Sequence, residues 1–226
     1  MGIISLEKID CVYWLGRYAE RVFTSTNYYT YVFDRLIDTD KECYKEYCHR
    51  LDIPDIYQDG EDFADKYLYD LSNPDSLYAN MSRAFDNAII IREELSSDVL
   101  AYIHLALDKF KFTRGSDNIP LILQEIRDYL YAFWGSADDF IISQDVRNIL
   151  KCGRYAERVD IHIRMGASAA VIDKELSKLA SRIHRINVPY NHEGLETLQE
   201  IIAMGDEWQS RYQEALQMIC TLFPTL

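Results

Sequence analysis

The sequence predicts an all-helical bundle of about seven helices, two of which carry the same Glu-Arg motif. Three observations lead there. Nine Gly and five Pro are spread over 226 residues in clusters, which leaves long stretches without a helix breaker. Those stretches carry helical periodicity, and even Ala88-Ile89-Ile90-Ile91 sits inside a helical pattern. The heptapeptide Gly16-Arg17-Tyr18-Ala19-Glu20-Arg21-Val22 also returns unchanged as Gly153-Arg154-Tyr155-Ala156-Glu157-Arg158-Val159. That spacing is too long for a solenoid, so it predicts two related halves with two pseudo-symmetric motif helices. The chain length suits one domain over residues 1–226.

The elements follow in order. A first helical stretch runs from about Leu6 to Leu51, until Ile53-Pro54-Asp55 and Asp59-Gly60 break it. A short amphipathic piece covers Glu61 to Leu71. Asn73-Pro74 is a helix start, with Asn as cap and Pro in the first turn, and that helix reaches about Leu95. Ser96-Ser97-Asp98 caps the next helix, through Phe112. Asp117 or Asn118 caps another, to about Ile142, in which Gly135 marks a kink or a close contact. Ser143 opens a long helix through Arg185, Val188-Pro189-Tyr190-Asn191 interrupts, and Glu193 to Leu222 closes the chain.

Charge narrows the function classes. A formal net charge of −13 repels phosphate backbones and anionic bilayers, so neither nucleic acid nor membrane is an expected partner. No apolar run is long enough to span a bilayer, and the first residues lack the basic and apolar regions of an export signal. Five cysteines, an odd number without a Cys-x-x-Cys, then read as reduced thiols in a cytoplasm. There is no Gly-rich phosphate loop, no His-Glu-x-x-His and no Gly-x-Ser-x-Gly, so no cofactor and no ATP site of its own is expected. Glu46 and His49 form a single Glu-x-x-His where a di-iron bundle needs two, and Asp160 and His162 point to different sides of a helix. No metal is expected either.

The repeat carries the chemistry. On a helix Arg17, Glu20 and Arg21 lie at i, i+3 and i+4 and share a face, as do Arg154, Glu157 and Arg158. Apolar neighbours flank both copies, so the charged faces turn inward, where each ion needs a partner. Four Arg against two Glu leave an excess of positive charge. A carboxylate from another helix or a bound anion would balance it, and the guanidinium fork suits either carboxylate or phosphate. Arg83, Asp86 and Asn87 repeat the spacing on a third helix as a candidate balancing face. Two readings stay open: structural ion pairs that orient helices, or a preorganised pocket for an anionic or amide-bearing ligand. Cys152 precedes the second motif where Leu15 precedes the first, which favours a buried apolar role over a reactive thiol. Tyr28, Tyr29 and Tyr31 follow the first motif as core, interface or ligand-contact residues.

At these residues the chain resembles the Alpha-E domain family of bacterial proteins, all-helical and marked by repeated Glu-Arg motifs. The resemblance rests on Val12-Tyr13-Trp14-Leu15-Gly16-Arg17-Tyr18-Ala19-Glu20-Arg21, on Gly153 to Arg158 continued by Val159-Asp160 and Arg164, and on the segment from Ser76 to Val99. Asn27 departs from an Arg often found in the first copy, and His162 from a usual Thr. The resemblance implies a place beside circularly permuted ATP-grasp proteins and transglutaminase-like peptidases, hence a role in making or modifying a peptide or amide bond.

Two functional expectations result. In the first, the chain works with an ATP-grasp-type ligase on a peptide or amino-acid substrate. Arg17, Arg21, Arg154 and Arg158 clamp a carboxyl-bearing group, Glu20 and Glu157 orient them or act as general base, and Arg83, Asp86 and Asn87 complete the site. In the second, it is a non-catalytic helical adaptor and the same residues are ion pairs.

Overall fold

The computed structural model describes residues 5–116 and 118–224. Among the described residues there are ten α-helices and no strand: α1 (Leu6–Asp38), α2 (Cys43–Leu51), α3 (Gly60–Tyr69), α4 (Leu77–Ile90), α5 (Ser97–Thr113), α6 (Ile119–Phe140), α7 (Gln144–Arg164), α8 (Ala169–Ile183), α9 (His192–Ala203) and α10 (Tyr212–Cys220), with a 3₁₀ segment at Gly205–Arg211.

The helices begin where side chains can take up orphan backbone N–H groups. Ser96 Oγ accepts from the Val99 N–H, Asn118 Oδ1 from Leu121 and Ser143 Oγ from Val146. Asp117, the other candidate cap of α6, lies outside the described residues. Helix α4 starts later than Asn73-Pro74 predicts. Asn73 spends its side-chain oxygen on the Asp75 N–H, and Ser76 caps the helix by accepting from Ala79.

Ten helices replace the expected seven because three long stretches are cut. The first breaks after Asp38, where the Thr39 and Asp40 N–H groups both turn back to the Arg35 carbonyl. The stretch from Ser143 breaks at Gly166 and the last one at Gly205, whose φ angles of 67° and 68° are left-handed. A residue in that conformation ends a helix, and Gly enters it without a Cβ penalty. Gly135, by contrast, lies inside an unbroken α6, and a Cβ there would meet nothing within 4 Å. It marks no close contact.

Helices α1 and α7 share the largest interface, α4 lies along α1, α5 pairs with α6, and α8 and α10 lie on α7. The core joins Val12, Leu15, Ala19 and Val22 of α1 to Ile149, Leu150, Ala156 and Val159 of α7. A second region of the same core is aromatic. Tyr29, Tyr44, Tyr47, Tyr57 and Tyr67 surround Phe63 between α1, α2 and α3, with Phe63 and Tyr67 stacked at 5.2 Å. Each such ring adds on the order of 1.5–3 kcal/mol by leaving water. No helix among the described residues is long and apolar enough to cross a membrane.

Candidate functional site

The motif's glycines set the distance between its two helices. A Cβ on Gly16 would overlap the Leu150 carbonyl oxygen and lie 3.1 Å from the Arg154 backbone nitrogen. A Cβ on Gly153 would overlap the Tyr13 carbonyl oxygen and lie 3.1 Å from the Arg17 nitrogen. Backbone meets backbone at the start of each motif, which only a residue without a side chain permits. The faces that follow, Arg17-Glu20-Arg21 and Arg154-Glu157-Arg158, are thereby pressed together.

The charges then cross. Glu157 of α7 accepts from Arg17 Nε at 2.5 Å and from Arg21 Nε at 2.5 Å. Glu20 of α1 accepts from Arg154 Nε at 3.1 Å and Arg158 Nε at 2.7 Å, and from the Thr24 hydroxyl at 2.7 Å. Each motif glutamate thus takes both arginines of the other copy. Glu20 is 0% and Glu157 1% exposed, so neither carboxylate meets bulk water.

Two further acids neutralise the rest. Asp160 accepts from Arg17 Nη2 at 3.2 Å and from Arg164 Nε at 2.7 Å. Glu175, from α8, accepts from Arg158 Nη1 at 3.3 Å and Lys178 Nζ at 2.8 Å. Four motif arginines therefore face four carboxylates of the same chain. Trp134 supplies a ring face 4.3 Å from the Arg154 guanidinium carbon, a favourable place for a cation.

Protonation follows this geometry. Burial alone would raise the Glu157 carboxyl, but Arg17 and Arg21 outweigh it and hold the group down at about 2. Burial also opposes the charge on Arg17, yet Glu157, Tyr13 and Asp160 hold that guanidinium well above its ordinary value. Burial pushes His162 down to about 4, with Arg158 adding to the effect, so the ring is neutral at pH 7. Its Nδ1 shares a 2.9 Å hydrogen bond with the Tyr28 hydroxyl. Burial pushes the Cys152 thiol up to about 12, and Arg182 offsets this only in part. A buried apolar role for Cys152 fits that shift.

The structure does not bring the third polar face into the network. Arg83 donates to the Pro74 carbonyl and lies over the Tyr18 ring at 5.1 Å. Asp86 is exposed and Asn87 half-buried, and among the described residues no side-chain hydrogen bond or ion pair joins either to the motifs. The balancing acids that sequence reasoning missed are Asp160 and Glu175. Asp160 sits at i+3 from Glu157 and i+4 before Arg164, a helical signal present in the sequence. Glu175 arrives only because the chain turns back at Gly166. Of the tyrosines after the first motif, Tyr29 is buried and Tyr31 is 65% exposed.

One edge of the network opens. A cavity of about 220 Å³ is lined by Arg21, Glu157, Asp160 and Arg164 of the network together with Asp52, Asp75 and Asn80. A larger cavity of about 530 Å³ lies between α1, α2 and α3, lined by Phe33, Leu36 and Tyr44, and holds no motif residue.

Residues 8–220 match the model of the Alpha-E family, described as a predicted alpha-helical domain with a conserved ER motif. No curated protein and no solved structure matches the chain. A match over nearly the whole length places the chain in its family: it belongs to the Alpha-E family.

Proposed function

We propose that the chain is a non-catalytic helical adaptor, a single Alpha-E domain whose doubled Glu-Arg motif is a buried clamp between α1 and α7. It serves a peptide- or amide-bond-forming system beside an ATP-grasp ligase in a reducing cytoplasm. One observation carries the adaptor reading: each motif glutamate is committed to two guanidinium groups of the other copy. A general base needs a lone pair turned to its substrate and a pKa near the working pH. Glu157 lacks the second, held at about 2 by Arg17 and Arg21. The reciprocal glycines and crossed pairs support a local twofold relation between the motif helices, as expected if the halves descend from one unit. The ligase partner rests on the family resemblance, and a reducing compartment suits the five free cysteines.

The substrate-binding reading keeps one supporting observation, the cavity beside Arg21 and Arg164. Arg21→Lys and Glu157→Gln separate the two readings. Under the clamp both variants lower the denaturation midpoint, and any product made with the ligase falls only in proportion to the folded fraction. If product vanishes while midpoint and complex stay intact, the motif is catalytic and the adaptor reading fails.

A further inference from the structure

The cavity beside the network is lined by more carboxylates than cations and by one buried acceptor without a donor among the described residues, and those two features say what it binds. Asn80 lines it and is 1% exposed. Its Nδ2 donates to the Ser76 carbonyl at 2.8 Å, which fixes which way the amide is turned. Its Oδ1 is then left without a hydrogen-bond partner among the described residues. A buried acceptor without a donor is costly, and one that lines a cavity can be satisfied by a donor that enters it.

The charges around it agree. Asp52 and Asp75 line the same cavity, and neither enters an ion pair among the described residues. Arg21 and Arg164, the two cations there, are turned to Glu157 at 2.5 Å and Asp160 at 2.7 Å. Among the described residues two carboxylates and an amide oxygen remain without a partner there, against Arg21 Nη1 and the Ser25 hydroxyl as free donors, and four carboxylates against two guanidinium groups leave the lining acidic. A carboxylate or phosphate guest would meet those carboxylates. A compact cation with several N–H donors would satisfy it.

The geometry points to this cavity as a binding site for a primary ammonium group, with Asn80 Oδ1 and the Asp75 carboxylate as its acceptors and Asp52 as a nearby countercharge. The guest is a small aliphatic amine or the α-ammonium end of an amino acid or peptide. The space, about 220 Å³, takes a group of that size. The assignment rests on the clamp reading in one respect: Arg21 and Arg164 stay committed to Glu157 and Asp160 and do not recruit an anion.

Calorimetric titration of the full chain tests it. The probes are n-butylammonium chloride, L-alanine, sodium acetate and tetramethylammonium chloride at matched ionic strength. Saturable binding of n-butylammonium is expected, at least tenfold tighter than acetate or tetramethylammonium, which has no N–H. Tighter binding of L-alanine than of n-butylammonium would identify an amino-acid end, and the reverse a plain amine; either supports the site. Asp75→Asn, a half-exposed position that leaves the network untouched, weakens binding at least tenfold. Asn80→Leu weakens it similarly and raises Tm without ligand by removing the orphan oxygen. No saturation with either amine overturns the site. So does equal binding of tetramethylammonium, or binding that both variants leave unchanged. The clamp is judged separately by the denaturation midpoint of Glu157→Gln: a lowered midpoint with no amine binding removes the site and leaves the clamp. Acetate binding tighter than n-butylammonium overturns both, since it requires Arg21 or Arg164 to be available.

Discussion

The two copies of the heptapeptide have identical residues and unequal surroundings. Around Glu20 the interior is closed: Thr24 adds a hydroxyl, Trp134 covers Arg154, and α8 brings Glu175 to Arg158. Around Glu157 it is open at one edge, where Arg21 keeps a third of its side-chain surface exposed beside the cavity. The residues after the motifs begin the difference. Asp160 and Arg164 follow the second copy where Phe23 and Asn27 follow the first. The motif itself sets helix spacing and charge pairing, and its flanks decide whether a cavity forms against it.

That comparison can be broken most forcefully at the glutamates. Removing one partner of a buried pair costs about 3–5 kcal/mol because the other charge is stranded. Glu20→Gln is expected at the upper end, since it strands Arg154 in the closed half. Glu157→Gln belongs at the lower end, because Arg17 keeps Asp160 and Arg21 reaches the cavity. Urea denaturation of both variants checks the order; a reversed order means the open edge gives Arg21 no relief.

Acid titration sharpens the same contrast. His162 is held near 4 against an ordinary 6.5, so the unfolded chain takes the proton first. Stability is full above pH 6.5 and lost as pH falls through 4, by roughly 3 kcal/mol. Glu157, held near 2 against an ordinary 4.5, contributes stability above pH 4.5 that is lost as pH falls through 2. His162→Gln should erase the upper limb and leave the lower one. An unchanged profile would mean that His162 titrates normally.

The glycines come next. Gly16→Ala and Gly153→Ala each push one backbone off the other and should cost about 1–3 kcal/mol by overpacking. Equal values for the two are expected, because each meets a carbonyl of the facing helix. The smallest effect belongs to Asn27→Arg, which copies the Arg164 position into the first half. Phe23 stands where Asp160 would receive the new charge, so the change should stay within about 0.5 kcal/mol.

Much of this was legible before any coordinates. Ser96, Asn118 and Ser143 are caps that a reader of the chain can place, and the i, i+3, i+4 faces of the repeat follow from helical geometry alone. The helix count was not legible, because Gly166 and Gly205 lie inside periodic stretches and only their left-handed backbone shows that they are ends. Thr39 to Glu42 break a helix with neither Gly nor Pro. A carboxylate from another helix is expected to balance the motifs, but which acids do so was not legible, in part for a tertiary reason. The excess of positive charge is real for the motifs taken alone, but Asp160 lies one turn beyond the repeat, and Glu175 reaches it only through the fold of α8 onto α7. Asp86, chosen by spacing, sits on a face that α4 keeps exposed.

The account depends on pairing between the copies, and a double-mutant cycle on Glu20 and Arg158 tests it most directly. With Glu20→Gln, Arg158→Met and the double variant compared by chemical denaturation, the crossed clamp predicts a coupling of about 1–3 kcal/mol. A control cycle on Glu20 and Arg17, neighbours within one copy, should couple by less than about 0.5 kcal/mol. Coupling within the copy and none across it would contradict the account.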